Sequence, residues 1–153
     1  MFGISLPLLI VSGLTAYILS SWVLVFLRVA GATRFAPRSY WACALFGGLR
    51  GAAMLGGRIA RALGMSVIAP FVYAFIFELV GNAELTLGAI LGVAHGVLVG
   101  ITLPVISRRA SCAKAPNPGL FGWRLGAATP LLLLLVYALY GATLGWAYVV
   151  VAP

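Results

Sequence analysis

The sequence predicts an all-α membrane protein, a bundle of about four transmembrane helices plus one amphipathic interfacial helix. Of its 153 residues, 63% are hydrophobic and 8% are charged, whereas soluble domains carry about 25% charged residues. The mean hydropathy is +1.14. Several apolar runs also approach the ~20 residues that a helix needs to cross a bilayer. These observations argue against a soluble protein and predict a single integral membrane domain over residues 1–153.

The first predicted span covers residues 4–27, which include no charged side chain, and Arg28 closes it. Ser12, Ala16 and Ser20 recur at four-residue spacing and therefore share one face of this helix. Small residues let a second helix approach closely in a membrane. This face is therefore a candidate packing surface.

Residues 41–62 form the predicted amphipathic helix, because they combine small and apolar residues with three arginines. Arg50 and Arg61 lie within about 20° of each other on a helical wheel, and Arg58 lies within about 80°. An interfacial helix keeps all three guanidinium groups among lipid headgroups, whereas a spanning helix would bury Arg50 at a cost of at least ~2.5 kcal/mol. We favour the interfacial helix and expect its arginines to contact anionic lipid or an acidic partner.

Residues 64–80 and 83–106 are predicted to form a hairpin of two spans. Pro70 lies near the start of the first of them, where proline is tolerated. Gly81 begins the turn. Glu84 lies in the first turn of the second helix, where a carboxylate interacts favourably with the helix dipole.

The helix at 83–106 carries a ridge of glycines at four-residue spacing, and the last span, at 127–151, carries a shorter G-x-x-x-G pattern. In water each such glycine would cost a helix roughly 1 kcal/mol relative to alanine, but in a membrane this spacing allows close helix contact. The predicted helix-packing residues are Gly88, Gly92, Gly96, Gly100, Gly141 and Gly145. We expect Gly92 and Gly96 to touch the last span or a neighbouring subunit at backbone distance.

The last span begins with Pro130 in its first turn, a favourable position for proline. The leucines at 131–135 indicate a lipid-exposed surface, to which we assign Leu133.

The chain has ten Lys and Arg residues and two Glu residues, which gives a formal charge of +8. With four spans and a surface helix, all the basic residues fall on one side, as the positive-inside rule expects of cytoplasmic loops. A fifth span at 41–57 would scatter them to both sides. We therefore expect a bacterial inner-membrane protein with both termini outside the cytoplasm. Cys43 and Cys112 fall on the cytoplasmic side, where thiols stay reduced.

His95 is the one histidine of the chain and lies near the middle of the glycine-rich span. We favour a neutral imidazole that is hydrogen-bonded to a neighbouring helix. Because Gly92 and Gly96 leave room for a flat ring, ligation of a haem or chlorin is an alternative role for His95, and a proton relay is another. The sequence specifies no cofactor, and we expect none. Glu78, about 15 Å from His95 along the helix axis, is expected at the interface or against a partner chain.

The chain shows no catalytic constellation, and we expect no enzymatic activity. It has no Asp and one His, and it lacks Cys–His, metal-ligand and phosphate-loop patterns. The basic charge follows from membrane topology, so we expect no nucleic-acid partner.

Three blocks stand out by their small-residue spacing: G-G-L-R-G-A-A-M at 47–54, G-V-A-H-G-V-L-V-G at 92–100 and Y-G-A-T-L-G-W-A-Y at 140–148. They resemble small, uncharacterised bacterial integral membrane proteins with four glycine-rich helices. The resemblance implies a membrane bundle and no established activity. The sequence departs from the family pattern at Arg50 and at Tyr137 or Tyr140, where a histidine is commoner in the last block.

Three function hypotheses follow. The first is an accessory or structural subunit of a larger membrane complex, with energy-transducing complexes among the candidates, which docks through its glycine-rich faces onto other membrane subunits and contacts anionic lipids. The second is a cofactor-binding electron-transfer or pigment subunit that uses His95. The third is a small transporter, against which the scarcity of intramembrane charge argues.

Overall fold

The computed structural model describes residues 6–108 and 117–151, and every long element in these ranges is a helix. In chain order the helices are α1 (Leu6–Val29), α2 (Pro37–Phe46), α3 (Gly51–Leu63), α4 (Ala69–Val80), α5 (Leu85–Ser107) and α6 (Thr129–Val151). A π-helical turn, Gly64–Ile68, joins α3 to α4, and a 3-10 turn, Leu120–Leu125, precedes α6. Within the described ranges, four helices are long and apolar enough to cross a membrane. The structure therefore confirms the predicted all-α membrane bundle.

The spans run in alternating directions, which gives the bundle two chemically different ends. At one end the backbone N–H of Arg34 donates to the carbonyl oxygen of Leu125 at 2.9 Å and so joins two connectors. We call this end, formed by residues 30–50 and 117–128, the basic end. The turn at 81–84 lies at the opposite end, which we call the acidic end.

The predicted amphipathic helix at 41–62 is divided, and residues 51–62 continue into a helix that is long and apolar enough to span a membrane. Gly47 adopts a left-handed conformation (φ 63°) and ends α2. Beyond this break α3 continues through the π-helical turn, so that one helix of 30 residues runs over Gly51–Val80. Arg50 and Arg61 share a face of the predicted wheel, but Arg50 lies just before α3 in an extended conformation. At 1.5 Å per residue the two differ by about 16 Å in position along the axis. A helix that crosses the bilayer therefore holds them at different depths.

Small residues explain why α2 folds back on α3. A Cβ atom built at Gly57 would overlap the backbone of Ala42, so the two helices meet at backbone distance. The small residues of α3 thus form its contact with α2.

Pro70 lies inside the long helix rather than in the first turn of a span. Proline has no N–H to donate to the carbonyl four residues earlier, and its ring crowds that carbonyl. The helix widens immediately before it, over Gly64–Ile68. Gly13 of α1 faces this turn, since a Cβ there would overlap the Pro70 ring and the Ser66 carbonyl oxygen. The predicted small-residue face of α1 is buried: it comprises Ser12, Ala16 and Ser20.

The glycine ridge of α5 lies against α6 at backbone distance. The buried glycines of α5 are Gly88, Gly92, Gly96 and Gly100. A Cβ at Gly92 would overlap the carbonyl oxygen of Tyr137, and a Cβ at Gly141 would overlap the carbonyl oxygen of Gly88. The contact is therefore reciprocal, and side chains on either helix would force the two backbones apart.

The two ends of this ridge meet different partners. At the acidic end, Gly145 faces the carbonyl oxygen of Glu84. At the basic end, Gly100 faces the ring of Phe121, which belongs to the 3-10 turn. Phe121 is the one non-glycine residue of the described ranges with a positive φ (52°). A bulky residue in this region is an uncommon backbone state, and here it places the ring over the glycine.

The sequence suggested that Leu133 faces lipid, but the structure buries this side chain. Its side chain is 2% exposed, whereas Leu131 is 62% and Leu135 is 54% exposed. Position 133 lies one helical turn before the buried Tyr137 and on the same face. A leucine run leaves this choice of face open, because every position in it is equally apolar.

Cys43 is disulfide-bonded, which corrects the expectation of a reduced thiol. The other cysteine of the chain, Cys112, lies outside the described residues. Disulfides persist in oxidising compartments, whereas arginine-rich loops are typical of the cytoplasmic side. The two indicators therefore point to opposite sides for the basic end.

Replacing Gly92 with alanine should destabilise the bundle more than replacing Gly96 does. At Gly92 the new Cβ meets backbone atoms, whereas at Gly96 it meets the Cβ of Tyr137 at 3.1 Å and the movable Cδ2 of Leu134 at 3.3 Å. Overpacking typically costs ~1–3 kcal/mol, and we expect about 2 kcal/mol for Gly92→Ala and less than ~1 kcal/mol for Gly96→Ala. The free energy of unfolding is measured in detergent micelles by denaturant titration.

The lipid-exposed substitution Leu135→Val serves as the control and should cost little. Equal losses for Gly92→Ala and Leu135→Val would contradict the assignment of Gly92 to the tightest helix contact.

Candidate functional site: an intramembrane tyrosine–histidine cluster

His95 lies at the middle of α5 and contacts a neighbouring span. Its Nδ1 atom is 3.4 Å from the hydroxyl oxygen of Tyr73, which lies on α4. This is the interhelical contact that the sequence favoured for a neutral imidazole. No partner for it can be recognised in the sequence, because hydropathy treats a tyrosine within an apolar run as one more large residue.

Two tyrosines of α6 complete an aromatic cluster around this imidazole. The ring centroids of His95 and Tyr137 are 4.7 Å apart, and those of His95 and Tyr140 are 6.3 Å apart. Tyr73 and Tyr140 meet edge to face with centroids 5.9 Å apart. We call Tyr73, His95, Tyr137 and Tyr140 the tyrosine–histidine cluster. It joins α4, α5 and α6 near mid-membrane.

The hydroxyl of Tyr140 donates to the backbone carbonyl oxygen of Met65 in the π-helical turn. Tyr140 is 0% exposed, so this hydrogen bond lies in the centre of the bundle. A π-helical turn often marks a functional site. Here it also gives a side chain of α6 an acceptor on the backbone of the second span.

The hydrogen bond to Tyr73 determines the tautomer that we assign to His95. A phenol O–H within a membrane needs an acceptor, and Nδ1 of His95 is the acceptor that Tyr73 reaches within the described part of the chain. If Tyr73 donates to Nδ1, the neutral imidazole carries its proton on Nε2. His95 therefore keeps one N–H donor for a second partner.

A groove of about 400 Å³ opens beside the cluster, between α4 and α5. His95 and Tyr73 form its polar part, and Trp41 of α2 lies at one end. A second, smaller cavity of about 170 Å³ lies on the other side of Trp41, between α2 and α5. Tyr40 lines this second cavity, and burial raises the pKa of Tyr40 to about 12. Its hydroxyl is therefore protonated at neutral pH.

A haem or chlorin does not fit the space that the sequence suggested for it. Gly92 and Gly96, which were expected to make room for a flat ring beside His95, are covered by Tyr137 and Leu134 of α6. The described residues also contain no group of three His, Cys, Asp or Glu side chains that could hold a metal ion.

The structure separates the three predicted headgroup arginines. Arg50 and Arg58 are exposed, but Arg61 is half-buried against α1. Its Nη2 atom donates to the hydroxyl of Ser21 at 3.2 Å, and its guanidinium lies over the Tyr17 ring, 5.1 Å from the centroid. Arg61 is therefore held on the inner side of the wheel face that it shares with Arg50.

Glu78 is exposed near the acidic end of α4, and the hydroxyl of Tyr148 donates to its Oε1 atom. The ring of Tyr148 also packs against Phe77 with centroids 5.4 Å apart. The carboxylate that was expected to meet a partner chain thus has a hydrogen-bond donor within its own chain.

No pattern in the sequence linked the tyrosines of the cluster to His95. One signal could have found two of them. If Gly141 is paired with the glycines of α5, Tyr140 and Tyr137, which precede Gly141 by one and four residues, fall close to His95. Tyr73 carried no such signal, because nothing in the sequence sets the rotation of α4.

Comparisons with protein-family models, with curated proteins and with solved structures found no match for this chain.

Replacing Tyr140 with phenylalanine should destabilise the protein by about 1–3 kcal/mol, because the Met65 carbonyl would then be buried without its donor. The matched control is Tyr137→Phe, on the same helix, whose hydroxyl makes no hydrogen bond within the described ranges. Thermal unfolding in detergent compares the two variants. Equal stabilities would show that the hydroxyl of Tyr140 does not anchor the π-helical turn.

Proposed function

We propose that the protein is a non-catalytic accessory subunit of a larger membrane complex and that Arg61 forms its docking site. The glycine-rich faces that first suggested docking are covered by helices of the same chain. They no longer argue for a partner. The observation that carries the proposal is instead an arginine held within a span, far from both carboxylates of its own chain.

The depth of Arg61 follows from its neighbours. Tyr17 and Ser21 lie near the middle of α1 (Leu6–Val29), and both contact the guanidinium. Arg61 is about 15 Å along the helix from the start of α3. A guanidinium at this depth lies close to the centre of a hydrocarbon layer of about 30 Å.

The chain itself supplies no carboxylate side chain to Arg61. Glu78 and Glu84 are the only acidic residues of the sequence. Both belong to the acidic end, and Tyr148 donates to Glu78. Charged residues inside membranes are costly and ordinarily pair with another group or face a polar cavity. The countercharge of Arg61 is therefore expected from another molecule.

A carboxylate on a transmembrane helix of a partner protein matches this site best. Arginine binds carboxylates through two parallel hydrogen bonds. Ser21 uses one guanidinium N–H group at 3.2 Å, and the aromatic face of Tyr17 adds a cation–π contact. The remaining N–H donors have no acceptor among the described side chains. The partner helix would pack along α1 and α3 with an Asp or Glu near its centre.

The exposed arginines at the basic end have a different proposed role. Arg50 and Arg58 are exposed and lie closer to the membrane surface than Arg61. Each basic residue near an anionic leaflet contributes about 1 kcal/mol of attraction. We assign Arg50 to anionic lipid headgroups, which would fix the depth of the bundle. Arg58 lies only about 4.5 Å along the axis from Arg61, so it would reach toward the headgroups by extending its long side chain along the helix.

Replacing Arg61 with glutamine should release the protein from its complex. Native gels of solubilised membranes measure the size of the assembly. This size should fall for Arg61→Gln and stay unchanged for Arg58→Gln. Arg58 is the matched control because it lies one turn earlier on the same helix and is exposed. An unchanged size for both variants would show that Arg61 does not hold the partner.

A reconstituted system tests the chemistry of the partner. The full chain is placed in vesicles with a poly-leucine transmembrane peptide that carries one central Glu, and energy transfer reports their association. A peptide with Gln at this position is the control. Association should require both the Glu peptide and Arg61. If association follows only the content of anionic lipid, a phosphate is the countercharge and the docking proposal fails.

We place the protein in a bacterial inner membrane with its basic end in the cytoplasm. The test uses a variant with both cysteines replaced by serine and a single new cysteine. An impermeant maleimide added to intact cells should label Asn82→Cys and not Arg38→Cys, since both positions are exposed and lie at opposite ends. The reverse pattern would place the basic end in the oxidising compartment that a disulfide at Cys43 favours.

A further inference from the structure

The groove between α4 and α5 has apolar walls and one polar patch. Ile68, Val72 and Leu98 contribute to its wall, and each is more than half exposed to the surroundings of the bundle. The groove therefore opens sideways toward the lipid. A molecule that is dissolved in the bilayer can enter it without crossing the headgroup layer.

The polar patch offers a hydrogen-bond donor to this groove. Nε2 carries the imidazole proton when Tyr73 donates to Nδ1. Within the described residues no buried side-chain nitrogen or oxygen lacks a hydrogen-bond partner, and among these same residues Nε2 of His95 has no hydrogen-bond partner. Nε2 is therefore accessible, and the cavity that His95 lines is the groove. A ligand that presents an acceptor oxygen would satisfy this N–H.

The space for a ligand continues along α5 beyond the groove. Leu91, His95 and Leu98 line the groove, while Thr102 and Ile106 line the second cavity. These positions are three or four residues apart and form one stripe of the helix. The stripe from His95 to Ile106 is about 16 Å long.

Trp41 lines both cavities and lies between them. The one polar side chain of the second cavity that belongs to α5 is Thr102, whose hydroxyl donates to the carbonyl oxygens of Leu98 and Val99. Its hydroxyl proton is used within the helix. The lining of the second cavity is mostly apolar, and Tyr40, Trp41 and Tyr137 are its other side chains with a polar atom.

We infer that the groove and the second cavity together bind a membrane-soluble molecule that combines a flat, carbonyl-bearing ring with a long apolar chain, the chemistry of a prenylated quinone. The ring lies beside His95, where Nε2–H donates to one carbonyl oxygen. The chain runs along α5 past Trp41 into the second cavity. The inference is independent of the proposed docking at Arg61, because that site lies between α1 and α3.

Two features favour this class over ordinary membrane lipid. Phospholipid chains carry no acceptor at mid-membrane, and their ester carbonyls lie near the headgroups, so they leave Nε2–H unsatisfied in hydrocarbon. The groove also places its donor at one end of an elongated apolar space. Ligand sites commonly combine apolar walls with few, well-placed polar groups.

Fluorescence of Trp41 tests the inference directly. Trp22, Trp123 and Trp146 are replaced by phenylalanine in the full chain, and a decyl-substituted benzoquinone is titrated into the protein in nanodiscs. We expect saturable quenching of Trp41. His95→Leu should weaken binding about 3–10-fold, the loss of one hydrogen bond, and His95→Gln, which keeps a donor, should restore most of it.

The controls separate a specific site from partitioning into the bilayer. A decyl-substituted benzene lacks the carbonyl group, so its binding should not depend on His95. Ile101→Leu alters an exposed position of α5 outside the groove and should leave quinone binding unchanged. Equilibrium dialysis with all four tryptophans retained provides a second readout, should the triple replacement impair folding. Quenching that never saturates, or equal affinity of the wild type and His95→Leu, would overturn the inference.

Discussion

The contact between α5 and α6 at backbone distance is the constraint on which the rest of the structure depends. In a bilayer, lipid chains are as apolar as leucine, so helices associate through close packing and hydrogen bonds rather than through the hydrophobic effect. Gly92 touches the backbone of Tyr137, and Gly141 touches that of Gly88. Contacts this close permit little sliding, and they fix the register of the two helices. This register brings Tyr137 and Tyr140 beside His95.

The π-helical turn links the second span to α6, because its Met65 carbonyl accepts a hydrogen bond from Tyr140. Pro70 removes a backbone donor, the helix widens before it, and Met65 accepts a hydrogen bond from Tyr140. The same turn receives α1 through Gly13. One irregular turn therefore orients α4 toward α6 and α1, and it places Tyr73 within reach of His95. The groove beside them remains open because α5 packs mainly on α6, and its other flank reaches α4 through side chains only.

The sequence could predict the spans and the glycine spacing, because both are properties of one helix. It could not predict depth. A helical wheel grouped Arg50 with Arg61, but a wheel gives no position along the helix axis, so one long helix was interpreted as a surface helix followed by a short span. The sequence also could not predict which side of a helix faces the other helices. Leu133 and Tyr73 lie in uniformly apolar runs, where only contacts with other helices decide which residue is buried. Contacts of this kind depend on the relative rotation of helices, and no periodicity encodes that rotation.

The separation of charge and the placement of the groove keep the two proposed sites apart, the docking site at Arg61 and the ligand groove beside His95. Both acidic residues of the sequence, Glu78 and Glu84, lie at the acidic end. Arg61 therefore has no side-chain countercharge from its own chain. That residue faces α1, whereas the groove lies between α4 and α5. Both α1 and α5 pack against α6, and they occupy different sides of it. A helix docked along α1 would therefore leave the lateral opening beside His95 free. The tyrosine–histidine cluster lies between the two surfaces. A change in the packing of α6 would therefore alter the geometry of both the Arg61 site and the groove.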